Sequence, residues 1–132
     1  DYTARNEEKF ALNIDLAPTL LDLANIPIPN GLDGISLEPL LANPDADWRD
    51  HVFIEHYKDG EADDPSGLST RIPTYWAIRT TEWKYVEYIN GDQELYDMVN
   101  DRYELENLAS RPEYAELMQS FSEQLQPFRF EP

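Results

Sequence analysis

The spacing of apolar residues changes near Trp48, and this change sets the fold class. Before it, apolar residues in two short segments recur at helical spacing. After it, segments 51–57, 75–80 and 83–89 alternate in polarity and are rich in aromatic and β-branched side chains, as strands are. The sequence therefore predicts helices in its first third and a sheet in its middle.

Turn residues predict that these strands form one antiparallel sheet. Asn90-Gly91 is a strong signal for a two-residue hairpin turn, after which residues 94–96 return beside the preceding strand. The sheet then has about four strands. A polar segment, 58–71, separates the first two strands, and loops of this length in compact domains are often functional.

The last helix has the clearest pattern. Ser110 and Glu113 have the spacing of a capping box, and Pro112 lies in the first turn. The apolar residues that follow share one helical face: Tyr114, Leu117, Met118, Phe121 and Leu125. The predicted fold is α+β, a small antiparallel sheet of about four strands covered by a long C-terminal helix.

Two helices are predicted ahead of the sheet. Asp15 is a good N-cap for the first, which runs to about Ala24. Its apolar side chains cover most of its circumference and predict burial on several sides: Leu16, Leu20, Leu21, Leu23 and Ala24. Ser36 caps a second helix, whose Leu37, Leu40 and Leu41 are predicted to face inward. Because these helices have no sheet of their own, they are predicted to belong to a neighbouring domain.

Charge and composition exclude several functions. The formal net charge is −17, so the surface repels nucleic acids and anionic membranes. The absence of cysteine excludes disulfides, thiolate metal sites and a cysteine nucleophile within these residues. No apolar stretch approaches the length of a membrane span.

Several phrases resemble the sulfatases of the alkaline-phosphatase-like superfamily. NIDLAPTLLDLANIPIP and GLDGISLEPLL resemble the segment that closes their catalytic domain. WAIRTTEWKYVEYINGDQELYDMVNDRYELENLA resembles their C-terminal domain, although Arg102 stands where that family usually has proline. VFIEHYKDGEADDP and the terminal FRFEP resemble the branch of N-acetylglucosamine-6-sulfatase and N-sulphoglucosamine sulphohydrolase.

The resemblance implies a sulfuric ester hydrolase that is exported and needs calcium. It also implies a formylglycine nucleophile, made from the first residue of a C/S-x-P-S/A-R motif. Residues 110–114 match this motif only superficially and lack its final arginine. The nucleophile and the calcium ligands are therefore expected upstream, in a catalytic domain that would be this chain's partner. Residues 1–47 would be the tail of that domain, and 48–132 the C-terminal domain.

Three residues are candidates for contact with a sulfated sugar. Arg71, at the end of the polar segment, is a candidate for the sulfate. His56 could donate to a sugar hydroxyl or sulfate, or be a half-buried strand histidine. Glu55 could accept from a sugar hydroxyl or cap the loop. Glu55 and His56 are predicted to face opposite ways, as are His51 and His56. No catalytic or metal-ligating residue is predicted.

Other readings of the same residues remain open. Arg79 is expected to pair with a carboxylate across the sheet, such as Glu87 or Asp97. The aromatic residues of the strands could form a sugar-stacking platform or pack against the last helix: Tyr75, Trp76, Trp83, Tyr85 and Tyr88. The DGEADD segment has part of the EF-hand spacing but lacks its glycine. Alternative functions are a free-standing acidic protein- or carbohydrate-binding module and a phosphoryl-transfer enzyme of the same superfamily.

Overall fold

The computed structural model describes residues 6–58 and 72–129. It divides into two compact units, Asp1–Asp50 and His51–Pro132. The assignment of residues 1–47 to a catalytic domain stays a prediction. Within the described ranges, no helix has the length and apolar character that crossing a lipid bilayer requires.

The first unit contains both predicted helices. Helix α1 spans Leu16–Leu23 and follows a 3-10 turn, and helix α2 spans Glu38–Ala42. Two residues after the end of α1 comes Asn25, whose φ of 56° is left-handed. The Asn25 N–H donates to the Asp22 carbonyl, and the next N–H donates to Leu21. These bonds satisfy carbonyl groups that the end of a helix would otherwise leave free.

The predicted burial of α1 on several sides is wrong within this chain. Pro18 and Thr19 are its buried residues, whereas three of its leucines are between 46% and 67% exposed: Leu16, Leu20 and Leu23. In α2, Leu40 is buried as predicted, but Leu41 is 43% exposed. The reason is the small size of the unit, because the described residues of the first unit include no sheet to cover the other sides of these helices.

Asp15 joins three segments of the first unit and does not cap α1. Its fully buried carboxylate accepts hydrogen bonds from the N–H groups of Leu12 (2.8 Å) and Ile35 (3.0 Å). Arg49 Nη2 donates to the same carboxylate at 2.8 Å. The predicted N-cap role is wrong because a 3-10 turn precedes α1 and directs the side chain back to Leu12.

The pKa of Asp15 is lowered by this environment. Burial alone would raise it, but hydrogen bonds from Arg49, Leu12 and Ile35 and the charge of Arg49 outweigh burial. The carboxylate therefore stays ionised, so Asp15 holds the three segments together by an ion pair with Arg49 as well as by hydrogen bonds.

Gly34 allows the loop before α2 to lie directly on the start of α1. A Cβ atom at this position would lie 2.0 Å from the carbonyl oxygen of Ile14, and only glycine permits so close an approach of two backbones. This approach brings the N–H of Ile35 to the Asp15 carboxylate.

The second unit contains the predicted sheet. Its four antiparallel strands lie in the order β1-β2-β3-β4 and span His51–His56, Tyr75–Thr80, Trp83–Tyr88 and Gln93–Asp97. Gly91 has a φ of 90° in the turn between β3 and β4, and its N–H donates to the Tyr88 carbonyl. The predicted four strands and their hairpin are confirmed.

Helix α3, Ala115–Leu125, packs against one face of the sheet. Met118, Phe121 and Leu125 are buried in the core that the helix shares with the strands, so the predicted apolar stripe is confirmed. The predicted capping box is wrong. A 3-10 turn at Pro112–Tyr114 precedes α3 and has no side-chain cap, which leaves Ser110 too far from the start of the helix to cap it.

Candidate functional site

The strand register separates the predicted site residues. Glu55 pairs with Trp76, and His56 pairs with Tyr75. Because directly paired residues share a face, Glu55 lies on the face that α3 covers and His56 lies on the opposite face. The two side chains therefore lie on opposite faces of the sheet, which confirms the prediction from the alternation of side chains along the strand. Arg71, the third candidate, lies outside the described residues.

His56 begins a line of three half-buried rings, which we call the aromatic row: His56, Tyr75 and Tyr88. The ring centroids of His56 and Tyr75 are 5.4 Å apart, and those of Tyr75 and Tyr88 are 5.6 Å apart. The row crosses the sheet at the end from which segment 58–71 departs. It offers partly exposed ring surface of the kind that stacks on apolar faces of sugars.

Glu94 places a carboxylate beside the aromatic row. The Tyr88 hydroxyl donates to Glu94 Oε1 at 3.2 Å. Burial, followed by the charge of Glu94 and this hydrogen bond, raises the pKa of Tyr88 to about 12. Burial and Glu94 also raise the pKa of Tyr96 to about 12. Both phenols keep their protons near neutral pH, so they act as hydrogen-bond donors and not as bases or nucleophiles.

Glu55 is an exposed carboxylate at the end of β1. Its Oε2 accepts a hydrogen bond from the Tyr57 hydroxyl at 3.2 Å. This bond is compatible with a loop-anchoring role and leaves the other oxygen as an acceptor for a sugar hydroxyl. The binding role of Glu55 therefore stays a prediction.

A network on the α3 side of the sheet was missed by the sequence reading. Arg129 Nη2 donates to Glu87 Oε2 and, at 3.0 Å, to the Ser122 carbonyl. The other carboxylate oxygen of Glu87 accepts from the Tyr85 hydroxyl at 2.7 Å, and Gln93 Nε2 donates to that hydroxyl at the same distance. Burial, reinforced by Glu87, raises the pKa of Tyr85 well above its usual range.

Glu87 and Asp97, the two carboxylates named as examples of a partner for Arg79, are not on its face of the sheet. Arg79 pairs in register with Lys84 on the face opposite α3, whereas Glu87 and Asp97 lie on the α3 face. Burial lowers the pKa of Arg79, and the charge of Glu104 partly opposes this effect. The two-residue connection between β2 and β3 fixes which residues pair. This short connection could have been used to place Arg79 on the correct face of the sheet.

The five aromatic strand residues divide between the two faces. Trp76, Trp83 and Tyr85 pack in or against the core under α3, as predicted. Tyr75 and Tyr88 lie on the opposite face, in the aromatic row. The described residues contain no cluster of three histidine or acidic side chains arranged to hold a metal ion, and the DGEADD segment lies outside them.

Comparison with known proteins identifies the family. The family described as "N-sulphoglucosamine sulphohydrolase, C-terminal" matches residues 2–131. An N-acetylglucosamine-6-O-sulfatase of Bacteroides thetaiotaomicron is 34% identical over 122 residues, which cover 86% of this chain and 21% of the relative.

Two solved structures show a similar fold. The structure of BT4656 in complex with its substrate D-glucosamine-2-N,6-O-disulfate has a TM-score of 0.76 and 29% identity, and the match covers 92% of this chain and 24% of that one. The phosphonate monoester hydrolase of Agrobacterium radiobacter has a TM-score of 0.67 and 32% identity, with 86% and 23% covered. This chain thus spans between a fifth and a quarter of each relative.

The sequence match, the sheet and the covering helix agree with one another. The resemblance to sulfatases drawn from the sequence is confirmed, and the chain belongs to the family of N-sulphoglucosamine sulphohydrolase C-terminal domains.

Proposed function

We propose that this chain works as the C-terminal part of a sulfuric ester hydrolase that acts on sulfated sugars, those of glycosaminoglycans among them. The observation that carries the proposal is the 34% identity, over most of the chain, to an N-acetylglucosamine-6-O-sulfatase. The similarity to a structure that holds a disulfated glucosamine supports the same class of substrate.

The bond-breaking chemistry belongs to residues outside this chain. Cleavage of a sulfate ester needs an activated nucleophile beside concentrated positive charge. The sequence has no cysteine and a formal net charge of −17, and it contains no C/S-x-P-S/A-R motif. A formylglycine and a calcium ion would therefore come from a catalytic domain that pairs with this chain. An exported location forms part of the same proposal and rests on the resemblance to sulfatases.

The chain would brace the catalytic domain and supply one wall of its substrate pocket, formed by segment 57–73. This segment connects the end of β1 to the start of β2, so it begins beside Glu55 and ends beside Tyr75. The aromatic row would stack on a sugar ring, Glu55 would accept from a hydroxyl, and Arg71 would bind the sulfate.

Arg71→Ala in the complete enzyme tests this role. We expect KM for glucosamine 6-sulfate to rise about tenfold, because a charge-assisted hydrogen bond to the sulfate is lost. KM for p-nitrophenyl sulfate should change less than twofold, since a small ester does not reach the wall. Steady-state kinetics with both substrates measure the difference. Arg102→Ala is the matched control, because Arg102 is exposed beside Tyr103. Equal increases for both substrates would refute the role.

A second candidate function is hydrolysis of phosphonate monoesters, which the similarity to the Agrobacterium enzyme favours. The kcat/KM of the complete enzyme for p-nitrophenyl sulfate should exceed that for p-nitrophenyl phenylphosphonate by at least tenfold, and the reverse order would replace our proposal.

The 132-residue chain alone should hydrolyse neither ester. Sugar binding by the complete protein without any hydrolysis would instead support a binding module.

A further inference from the structure

The outer edge of β4 is closed by the chain itself. The Leu95 N–H donates to Asn107 Oδ1 at 3.0 Å, and the Leu95 carbonyl accepts from the Leu108 N–H at 2.8 Å. The Asp97 carbonyl accepts from the Asp101 N–H at 2.7 Å. An edge strand whose outward backbone groups are satisfied in this way is protected from pairing with another chain.

The outer edge of β1, the other edge strand, is open at two residues. The Ile89 N–H donates to the Thr74 carbonyl, and hydrogen-bonded pairs alternate along antiparallel strands. The register therefore directs the backbone groups of Val52 towards β2 and those of Phe53 and Glu55 away from the sheet. The same alternation accounts for the outward groups of β4. Within the described residues, the outward N–H and carbonyl groups of Phe53 and Glu55 have no hydrogen-bond partner.

β1 also lacks several features that usually block an open edge. Its six residues include no proline and no lysine, and its register with β2 has no bulge. Apolar surface flanks the edge on both faces of the sheet. Ile54 is 38% exposed on one face, and on the other Phe128, which is 40% exposed, packs on Phe53 with ring centroids 4.1 Å apart. An added strand would bury this surface and also satisfy the backbone groups.

The sequence of β1 is complementary to itself when two copies run antiparallel. With Phe53 placed opposite the second copy's Phe53, Val52 lies opposite Ile54. In the same register His51 lies opposite Glu55, and twofold symmetry repeats both pairs. Aromatic pairs and pairs of opposite charge are among the cross-strand pairs that stabilise sheets, and an imidazole N–H also donates to a carboxylate without being charged. Charge and apolar character thus match along residues 51–55, which favours a second copy over an unrelated strand.

We infer that two copies of this protein join through their β1 strands and form one antiparallel sheet of twice the four strands of each copy. At the centre, each Phe53 N–H donates to the Phe53 carbonyl of the other copy. Such a contact is isologous, so it closes as a dimer and leaves no free β1 edge. Glu55 keeps acceptor capacity for a sugar hydroxyl, because a carboxylate has about four lone-pair sites. The inference goes beyond the proposed function and does not depend on which ester the enzyme cleaves.

Sedimentation equilibrium of the complete enzyme tests the inference. A formal charge of −17 on each chain repels a second copy, so the buffer contains about 0.5 M NaCl to screen that repulsion. We expect the average mass to rise towards that of two copies between about 10 µM and about 1 mM enzyme. Over the same range, hydrogen exchange of the Phe53 amide should slow, because that N–H becomes bonded in the dimer.

Exchanging the charges of β1 separates this contact from other modes of association. His51→Glu places a carboxylate opposite Glu55 and should weaken the dimer about tenfold. Adding Glu55→His to that variant restores the opposite pair and should restore the affinity. Ile54→Lys places a lysine on the edge strand and should abolish the dimer. Val99→Lys is the matched control for charge, because Val99 is 68% exposed in the loop after β4 and lies outside the inferred contact; its dimer should be unchanged.

Three results would overturn the inference. The first is an enzyme that stays monomeric at the highest concentration. The second is a dimer that His51→Glu and Ile54→Lys leave unchanged, because association would then use another surface. The third is a Phe53 amide that is equally protected at every concentration, which would assign the β1 edge to another part of the same enzyme. Hydrolysis of p-nitrophenyl sulfate is measured separately, so failure of the dimer and failure of the proposed activity are distinguishable.

Discussion

Replacing Gly34 with alanine is expected to unfold the first unit. The added Cβ would lie 2.0 Å from the Ile14 carbonyl oxygen and 2.9 Å from the Asp15 nitrogen. Both atoms belong to the backbone, so no side-chain rotation relieves the overlap. The loop before α2 must move away, and Ile35 then loses its hydrogen bond to Asp15. We expect the free energy of unfolding to fall by more than about 3 kcal/mol.

Gly31→Ala is the matched control for this substitution. Gly31 lies three residues earlier in the same loop and has a φ of 93°, but a Cβ there meets no atom within 4 Å. It should cost only the strain of a left-handed conformation, about 1 to 2 kcal/mol. Urea unfolding followed by circular dichroism measures both variants. Similar losses for the two would show that the contact with Ile14 is not what requires glycine.

Asp15→Asn is expected to destabilise the first unit by about 3 kcal/mol. The amide cannot accept all the hydrogen bonds from Leu12, Ile35 and Arg49, and it leaves the partly buried guanidinium without its counter-ion. Asp22→Asn is the control, because Asp22 lies on α1, the helix that follows Asp15, and accepts from the Ser36 hydroxyl at 2.6 Å. Its loss should be about 1 kcal/mol.

The effect of Asp15→Asn should depend on pH. The pKa of Asp15 is lower in the folded state than its ordinary value of 3.8, so the unfolded state binds the proton more tightly. The stabilisation is present above that ordinary value and is lost as pH falls through the folded-state pKa. Urea unfolding at pH 6, 4 and 2.5 should show the difference between the two proteins shrinking towards acid. A difference that stays constant would contradict the ion pair.

The periodic elements of the fold could be predicted from the sequence. The stripe on α3 and the alternation in β1 to β3 are visible because each depends only on spacings within one segment. The same alternation predicted that Glu55 and His56 face opposite ways. The hairpin at Asn90-Gly91 could also be predicted, because its residues favour the turn without help from the rest of the chain.

The contacts of Asp15 and the ion pairs could not be predicted, because they depend on residues that are far apart in the sequence. Asp15 has the local pattern of an N-cap, but its partners Ile35 and Arg49 lie 20 and 34 positions away. The pair between Glu87 and Arg129 spans 42 positions. Exposure of the α1 leucines likewise depends on what surrounds the helix, which no spacing within the helix reveals.

The alternation of side chains along β1 makes this strand sensitive to insertions and deletions. Inserting or deleting a single residue in β1 would slip its register and exchange its two sets of side chains. A deletion near the start of β1 would place His56 where Glu55 now pairs with Trp76, and Phe53 would leave the packing against α3. We conclude that β1 tolerates substitutions far better than changes in length, and that natural length variation between β1 and β2 should be confined to the connection that follows the strand.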